Sequence, residues 1–359
     1  KTAKIVFLAM ISRLLAKPVS LAIKSVSSAG KSFTVTRTSK FFPDDAIVTL
    51  SAMSEKALIR SGLDLRHKIL LVSEAEGVSG GFLAYVIRLL LSEDRVEYGT
   101  LVEQQGDWKG QRFTVEGPTS FMTTTTMLKL HPENETRLLS ITTDETPEQT
   151  ARIMRTIAQG SGFEVDYSRW HTLHRYMELL DAKVDIPYAK NIADNIPPVA
   201  TRLRRDITAI LSLVRSHTLL HAGSREWDED GRLIATLEDS KAVYDLTHQL
   251  FAEGVEQAIP EPVRRLVIAV QEINNDVQPP LYERKAATYD ELTEVLGLHI
   301  SNVSRNARAA IELGYVVDLR MNGGRECELY ATPKLSDDRA LLPSPEEVSR
   351  AWNEEQNRE

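Results

Sequence analysis

The segment that most restricts this chain is Pro18 to Ser32, PVSLAIKSVSSAGKS. An apolar run from Val19 to Ile23 reads as a buried strand, a loop of small residues closes in Gly30-Lys31-Ser32, and helix-forming sequence comes next. Strand, small-residue loop and helix in that order is the setting of a P-loop. Small side chains let successive backbone N–H groups point at the phosphates of a bound nucleotide. The lysine adds a point charge there, and the hydroxyl after it is a ligand for Mg²⁺. Ser27, Ser28, Ala29, Gly30, Lys31 and Ser32 are therefore the expected cradle for ATP, with Ser32 on the metal. Ser25 stands where G-x-x-x-x-G-K-[ST] has its first glycine, so an ordinary strand-turn-helix stays open on this stretch alone.

Beyond Ser32 the pattern is that of an α/β domain. Ala46 to Met53 is a second strand candidate and Lys68 to Val72, KILLV, a third, ending in Ser73-Glu74-Ala75-Glu76. An acidic residue at the end of an apolar strand beyond a P-loop is the Walker B arrangement. Glu74 is the candidate to polarise an attacking water, and Ser73 takes the place of the usual metal-holding Asp. The alternative is an acidic cluster at a helix N-terminus. Gly80 to Ser92 reads as a buried helix, and Tyr98 to Glu116 as a hairpin turning at Gly106-Asp107-Trp108-Lys109-Gly110. Its Trp108 and Lys109 suit a nucleic-acid strand by stacking and charge, or else belong to a solvated surface hairpin. Thr119 to Thr126 is a β-branched fourth core strand. LLSIT, after Arg137, is another. Alternating strands and helices up to residue 145 predict a parallel sheet with its loops collected at the strand ends.

Residues 146–200 read as a helical connector, 201–280 as an Arg-rich helical block opening at Arg202-Leu203-Arg204-Arg205, and 336–359 as a solvated tail. His171 and His174, at i and i+3, have no third ligand nearby in sequence, which gives them a surface or packed role. Residues 281–335 predict a winged helix: helix Tyr289 to Leu296, turn at Gly297, helix His299 to Leu313, then two strands across Asn322-Gly323-Gly324. Ser301, Asn302, Ser304, Arg305 and Arg308 then lie on the second helix, facing DNA or docking a protein.

The chain has 359 residues, enough for two or three domains, and a net charge of −8. That excludes a uniformly basic DNA-coating protein and leaves nucleic-acid contact to local patches. The one cysteine, Cys327, leaves no internal disulfide and no Cys-based zinc site, as in a cytoplasmic protein. Arg13, Lys17 and Pro18 interrupt the apolar opening well short of a membrane span. The sequence begins at Lys1, not Met, as a piece of something longer would.

In this order of parts the chain resembles the AAA+ helicases with a hairpin before sensor 1, in particular the minichromosome-maintenance-like and primase-associated helicases of phages and mobile elements. The resemblance implies a P-loop AAA+ ATPase core (1–145), a helical lid and a C-terminal winged helix. Position by position, Lys31 and Ser32 correspond to Walker A and Glu74 to the Walker B acid. Lys109 corresponds to the DNA-facing lysine of the hairpin, and sensor 1 falls at Thr125 or Thr126. Arg137 resembles the arginine finger, and Arg202, Arg204 or Arg205 resembles sensor 2. The implied protein is a hexameric, DNA-translocating ATPase acting in DNA replication with no membrane partner. A nucleotide-controlled DNA-binding switch and a scaffold with a decayed P-loop are the competing readings.

Overall fold

A computed structural model describes residues 1–27, 29–50, 57–72, 81–104, 107–126, 137–143, 146–160, 165–196, 203–258, 260–274, 285–312, 314–319, 327–332 and 342–358. The chain divides into two compact units, one of Lys1–Ala193, Arg204–Thr247 and Ser344–Glu359, the other of Asp194–Leu203 and His248–Pro343.

The first unit is α/β, as the alternation of apolar segments requires. Its strands β1 (Leu21–Lys24), β2 (Ile47–Leu50), β3 (Lys68–Val72), β6 (Thr119–Thr125) and β7 (Leu139–Thr142) form one sheet in the order β2-β3-β6-β1-β7. Every pairing is parallel, with Leu21 opposite Met122 on one side and Leu139 on the other. All the residues of β6 are buried, which leaves the Thr123 hydroxyl without a hydrogen-bond partner while others find acceptors inside the protein. Ser120 Oγ donates to Val19 O at 2.7 Å and Thr119 Oγ1 to Lys68 O at 3.0 Å.

Helix α1 (Thr2–Ile11) buries Ile5, Val6, Leu8, Ala9, Met10 and Ile11, which accounts for the apolar opening of the chain. Among the described residues no helix is long and apolar enough to cross a membrane. Helix α2 (Lys31–Ser39) comes after β1, and α3 (Ala57–Arg60) and α4 (Gly81–Glu93) flank β3 in the chain. On the α4 side of the sheet Leu70, Val86, Leu90 and Phe121 share one apolar core with Val96 and Val115. Those last two belong to the hairpin of β4 (Arg95–Gln104) and β5 (Asp107–Glu116), a separate antiparallel pair. Asp107 to Gly110, expected in the turn, are therefore strand, and the register pairs Gln104 with Asp107. At the hairpin's foot Gly117 N–H donates to Asp94 O at 2.7 Å, and a Cβ at Gly117 would meet that oxygen at 3.1 Å.

Helix α5 (Pro147–Ala158) comes next, then α6 (Ser168–Leu179), the two-residue β8 (Val184–Asp185) and α7 (Ala189–Asp194). The segment expected to be a connector contributes to the core, because α6 carries buried His174 and Met177. Phe7 of α1 meets Trp170 edge-on at 5.6 Å, and the buried Arg13 donates to Glu178 Oε1 at 2.5 Å. Helix α8 (Leu203–Leu220) and the start of α9 (Leu237–Ala258) complete the unit with β9 (Leu233–Ile234), which pairs in parallel with β8. The buried Asp239 carboxylate joins them. Burial pushes its pKa up, but bonds from His217, Arg225 and the Thr236 N–H outweigh that and hold it below the usual carboxylate range.

The expected solvated tail is instead a packed helix. The last helix runs from Pro345 to Gln356, with Val348 buried and Leu342 buried just before it. Ser344 and Glu347 form a reciprocal capping box, and Asn191 Nδ2 donates to Glu355 at 2.9 Å. The polar composition conceals a short apolar stripe.

The second unit is built on α10 (Glu261–Ile273), α11 (Tyr289–Leu296) and α12 (Ile300–Glu312), with β10 (Val316–Asp318) antiparallel to β11 (Leu329–Ala331) and a bridge from Ala287 to Leu329. Helix α10, grouped with the helical block by the Pro279-Pro280 break, instead puts Val263, Leu266, Val267 and Val270 into the same core as Leu292, Val303, Leu329 and the buried Cys327. Thr288 and Glu291 box the start of α11, and Gly297 ends it in the left-handed region at φ +63°.

Candidate nucleotide site

In a parallel sheet the loops that leave the strands gather at one edge, and β1, β3 and β6 lie at the centre of this one. The P-loop candidate therefore leaves the carboxyl edge beside the ends of β6 and β7. Ser25 N–H donates to Thr125 O at 3.2 Å, and Ser25 Oγ lies 2.5 Å from Thr143 Oγ1. The serine in the first-glycine position is thus tied into the sheet by its side chain.

The loop closes on Gly30, whose φ of +82° is the reason a glycine is needed there. Gly30 is the N-cap of α2 without any side-chain cap, and the first N–H used within the helix is that of Thr34, on Gly30 O at 2.9 Å. A helix start of this kind presents backbone donors and the positive end of the dipole to an anion. Lys31 is buried and folds back over the loop, its Nζ donating to Ser25 O at 2.8 Å and Val26 O at 2.7 Å. Both acceptors are neutral carbonyls, so a phosphate oxygen can compete for the ammonium on favourable terms. Ser27 and Ser32 are exposed and Ala29 is half-buried. Ser32 also opens onto a cleft of about 160 Å³ lined by Val35, Thr36, Thr49, Leu71 and Thr124. That is room for about five water molecules. Thr36 borders Ser32 by its i+4 place on α2, whereas only the strand order shows that Thr49 and Thr124 do so too.

Thr125 is buried at the end of β6 and Thr126 is exposed just past it, so both stand at the same edge as Gly30. Ser28, Ser73, Glu74 and Arg202 lie outside the described residues. The sequence matches no protein-family model and no curated protein.

Arg137 occupies the other edge. Leu139 pairs with Leu21, so Arg137 is level with Val19, at the amino end of β1. That is about 17 Å along the strand direction from the loop beyond Lys24. Its Nε donates to Ser92 Oγ at 2.8 Å, and it lines a cavity of about 370 Å³ with Lys17, Ser20, Arg205 and Asp206. Arg205, expected over the nucleotide, is therefore brought to Arg137 and not to Lys31. Ser212 of α8 fixes the helix there by donating to Lys17 O at 2.8 Å. Arg204 is exposed on the same turn.

Trp108 and Lys109 are both exposed on β5, but neighbouring residues of a strand face opposite ways. Lys109 shares its face with Val96, Tyr98, Phe113 and Val115, which pack the hairpin onto the unit; Trp108 shares the outer face with Leu101 and Arg112. One surface of the hairpin does not carry both. In the second unit Ser301, Arg305 and Arg308 lie on the exposed side of α12, with Asn302 and Ser304 half-buried at its margin, and Arg305 donates to Asn302 Oδ1 at 3.1 Å. His171 Nε2 lies 3.0 Å from Lys40 O. His174 stacks on Phe42 at 4.1 Å with neither ring nitrogen bonded, and burial, with the Arg13 charge, lowers its pKa to about 3.

Proposed function

We propose that this chain is a Mg²⁺- and ATP-dependent DNA translocase or helicase of the AAA+ type, acting in DNA replication as a ring of copies, a hexamer on the family resemblance. The observation that carries the reading is the loop at Gly30 to Ser32: an uncapped helix start, a left-handed glycine and a buried lysine, at the carboxyl end of an interior strand of a parallel sheet. The residues fit a triphosphate. Backbone N–H groups of the loop and of α2 would hold the phosphates, Lys31 would leave the two carbonyls for phosphate oxygens, and Ser32 would hold the metal. Bound Mg²⁺ supplies charge neutralisation of the phosphates. Glu74, beyond the end of β3, would take the proton of the attacking water, with Thr125 or Thr126 orienting that water.

The position of Arg137 supports assembly. At the amino edge it is too far from the loop to serve a nucleotide of its own chain, and with Arg205 beside it, it suits the phosphates of a neighbour. Three helices with a β-hairpin in the second unit are the composition of a winged helix, in which Ser301, Asn302, Ser304, Arg305 and Arg308 would face DNA. Lys109 and Trp108 would contact single-stranded DNA from the two faces of the hairpin. The anchoring of Ser25 to Thr125 and Thr143 favours a second reading, a slow nucleotide switch, since it stiffens a loop that is usually glycine.

Steady-state ATP hydrolysis with and without single-stranded DNA tests the proposal. Turnover stimulated by DNA, and reduced by at least about 100-fold in Glu74→Gln, is expected. Nucleotide binding without turnover in the wild type would sink the motor and leave the switch.

A further inference from the structure

Two metal-ligating side chains that the nucleotide reading leaves unused stand at the end of α8. His217 and His221 are four residues apart, and the bond from His221 N–H to His217 O at 3.2 Å continues the helical turn that sets both rings on one face. Their ring centres are 4.6 Å apart, with the planes at 42°. His217 Nδ1 is 2.6 Å from Asp239 Oδ1. A carboxylate there fixes the neutral ring with its proton on Nδ1 and its lone pair on Nε2, the state and support in which imidazole binds a metal. Asp239 is itself held in place, since it is fully buried and also accepts from Arg225 Nη2 and Thr236 N–H, each at 2.8 Å. His221, by contrast, is exposed and open to a ligand from solvent.

The spacing of the rings selects the metal. An ion about 2.0–2.1 Å from a coordinating nitrogen lies about 3.2 Å from the centre of that ring. Two centres 4.6 Å apart then subtend about 90° at the ion, the cis angle of a square-planar or octahedral site. The tetrahedral angle that suits Zn²⁺ would need about 5.2 Å. Among the described residues no group of three or more His, Cys, Asp or Glu could hold a metal ion, so the site supplies two imidazoles and water takes the other positions. Local charge permits a cation. Arg225 opposes it, but Asp239 offsets Arg225, and Glu238 adds a second negative charge close to His221.

We infer that His217 and His221 form a chelating site for a divalent copper or nickel ion, with Asp239 as the buried support of the first ligand. The test is calorimetric titration of the full chain, free of nucleotide, with Ni²⁺, Cu²⁺ and Zn²⁺, for the wild type and for His221→Ala. The melting temperature is followed with and without Ni²⁺, and the Cu²⁺ form is read by electron paramagnetic resonance. The wild type should bind Ni²⁺, and Zn²⁺ less tightly. Because His221→Ala removes a direct ligand, its Ni²⁺ affinity should fall at least about tenfold, and the rise in melting temperature on adding Ni²⁺ should disappear. Without metal its melting temperature should match the wild type, since His221 is exposed. The Cu²⁺ spectrum should show coupling to two nitrogens in the wild type and to fewer in the variant. Equal Ni²⁺ binding by both proteins would mean an adventitious ion held elsewhere and would overturn the site. Tighter binding of Zn²⁺ than of Ni²⁺ would overturn the cis geometry on which the assignment stands. A wild type that binds none of the three ions overturns it outright.

Discussion

At the carboxyl edge of the central sheet the chain offers backbone donors, one lysine and a rim of hydroxyls from Ser32, Thr36, Thr49 and Thr124; at the amino edge it offers the guanidinium groups of Arg137 and Arg205. The first is a set of donors that would suit an anion, and the second is a pair of cations lining a cavity together with Asp206. The edges also differ in support. Around the loop Val26 and Phe33 are exposed, whereas the amino edge is braced by buried Arg13 bonded to His67 O and Glu178, and by His174 against Phe42. On the proposed function the two would meet head to tail between copies, a contact that generates a ring when the rotation closes.

Three experiments press on that difference. The largest effect belongs to Lys31→Ala and Arg137→Ala, expected to remove nucleotide binding and to cut turnover by about 10³-fold respectively. Mixed in equal amounts, the two inactive proteins should recover turnover, since about a quarter of head-to-tail interfaces then join an intact P-loop to an intact Arg137. A mixture as dead as its components would break the comparison.

The next effect, about 2 kcal/mol, concerns the bracing of the amino edge. His174 is held neutral in the folded protein, with a pKa of about 3, while in the unfolded chain it titrates near 6.5. Its contribution is fully present above pH 6.5 and is lost as the pH falls from there towards 3. Unfolding free energies from urea titrations at pH 7 and pH 5 should differ by that amount more in the wild type than in His174→Phe, a ring that suits Phe7 and Phe42. Equal losses in both proteins would mean that His174 is not the acid-sensitive brace.

The smallest effect separates the two faces of the hairpin rooted at the amino edge. Single-strand binding by anisotropy should lose about 1 kcal/mol in Trp108→Ala without a change of salt slope. In Lys109→Ala the slope should fall by about 0.7 with a modest loss of affinity. Identical salt responses would put both side chains on one track, against the pairing of Glu103 with Trp108 and Val102 with Lys109.

Much of the sheet is legible in the sequence because its signals are local. Apolar runs at Val19–Ile23, KILLV and LLSIT, a threonine-rich β-branched run and a small-residue loop ending in Gly30 each report on their own few residues. Features that depend on register and neighbours are not legible in that way. Trp108 and Lys109 are adjacent in sequence, and only a paired strand sends them apart. Arg205 opens a helix that could have folded over either edge, and Ser212 bonding Lys17 O settles which one. The helix at the tail is masked by its Glu and Asn, although Ser344-Pro345-Glu346-Glu347 is a capping signal in its own right. Helix α10 falls on the wrong side of a sequence boundary because prolines mark interruptions of the chain and not the core to which a helix belongs.

The hairpin has one further property, a mechanical one. Its inner end is clamped by Val96, Val115 and the Tyr98–Phe82 contact at 5.1 Å, and beyond it comes Gly99, where a Cβ would touch nothing. From Gly99 to Gln104 the paired arm is about 17 Å long. A swing of about 12° there would carry the tip about 3.5 Å, close to the spacing of successive nucleotides along a strand. On the proposed function, a displacement of the clamp too small to disturb the core would thus be geared, at the far end, to a stroke of one nucleotide.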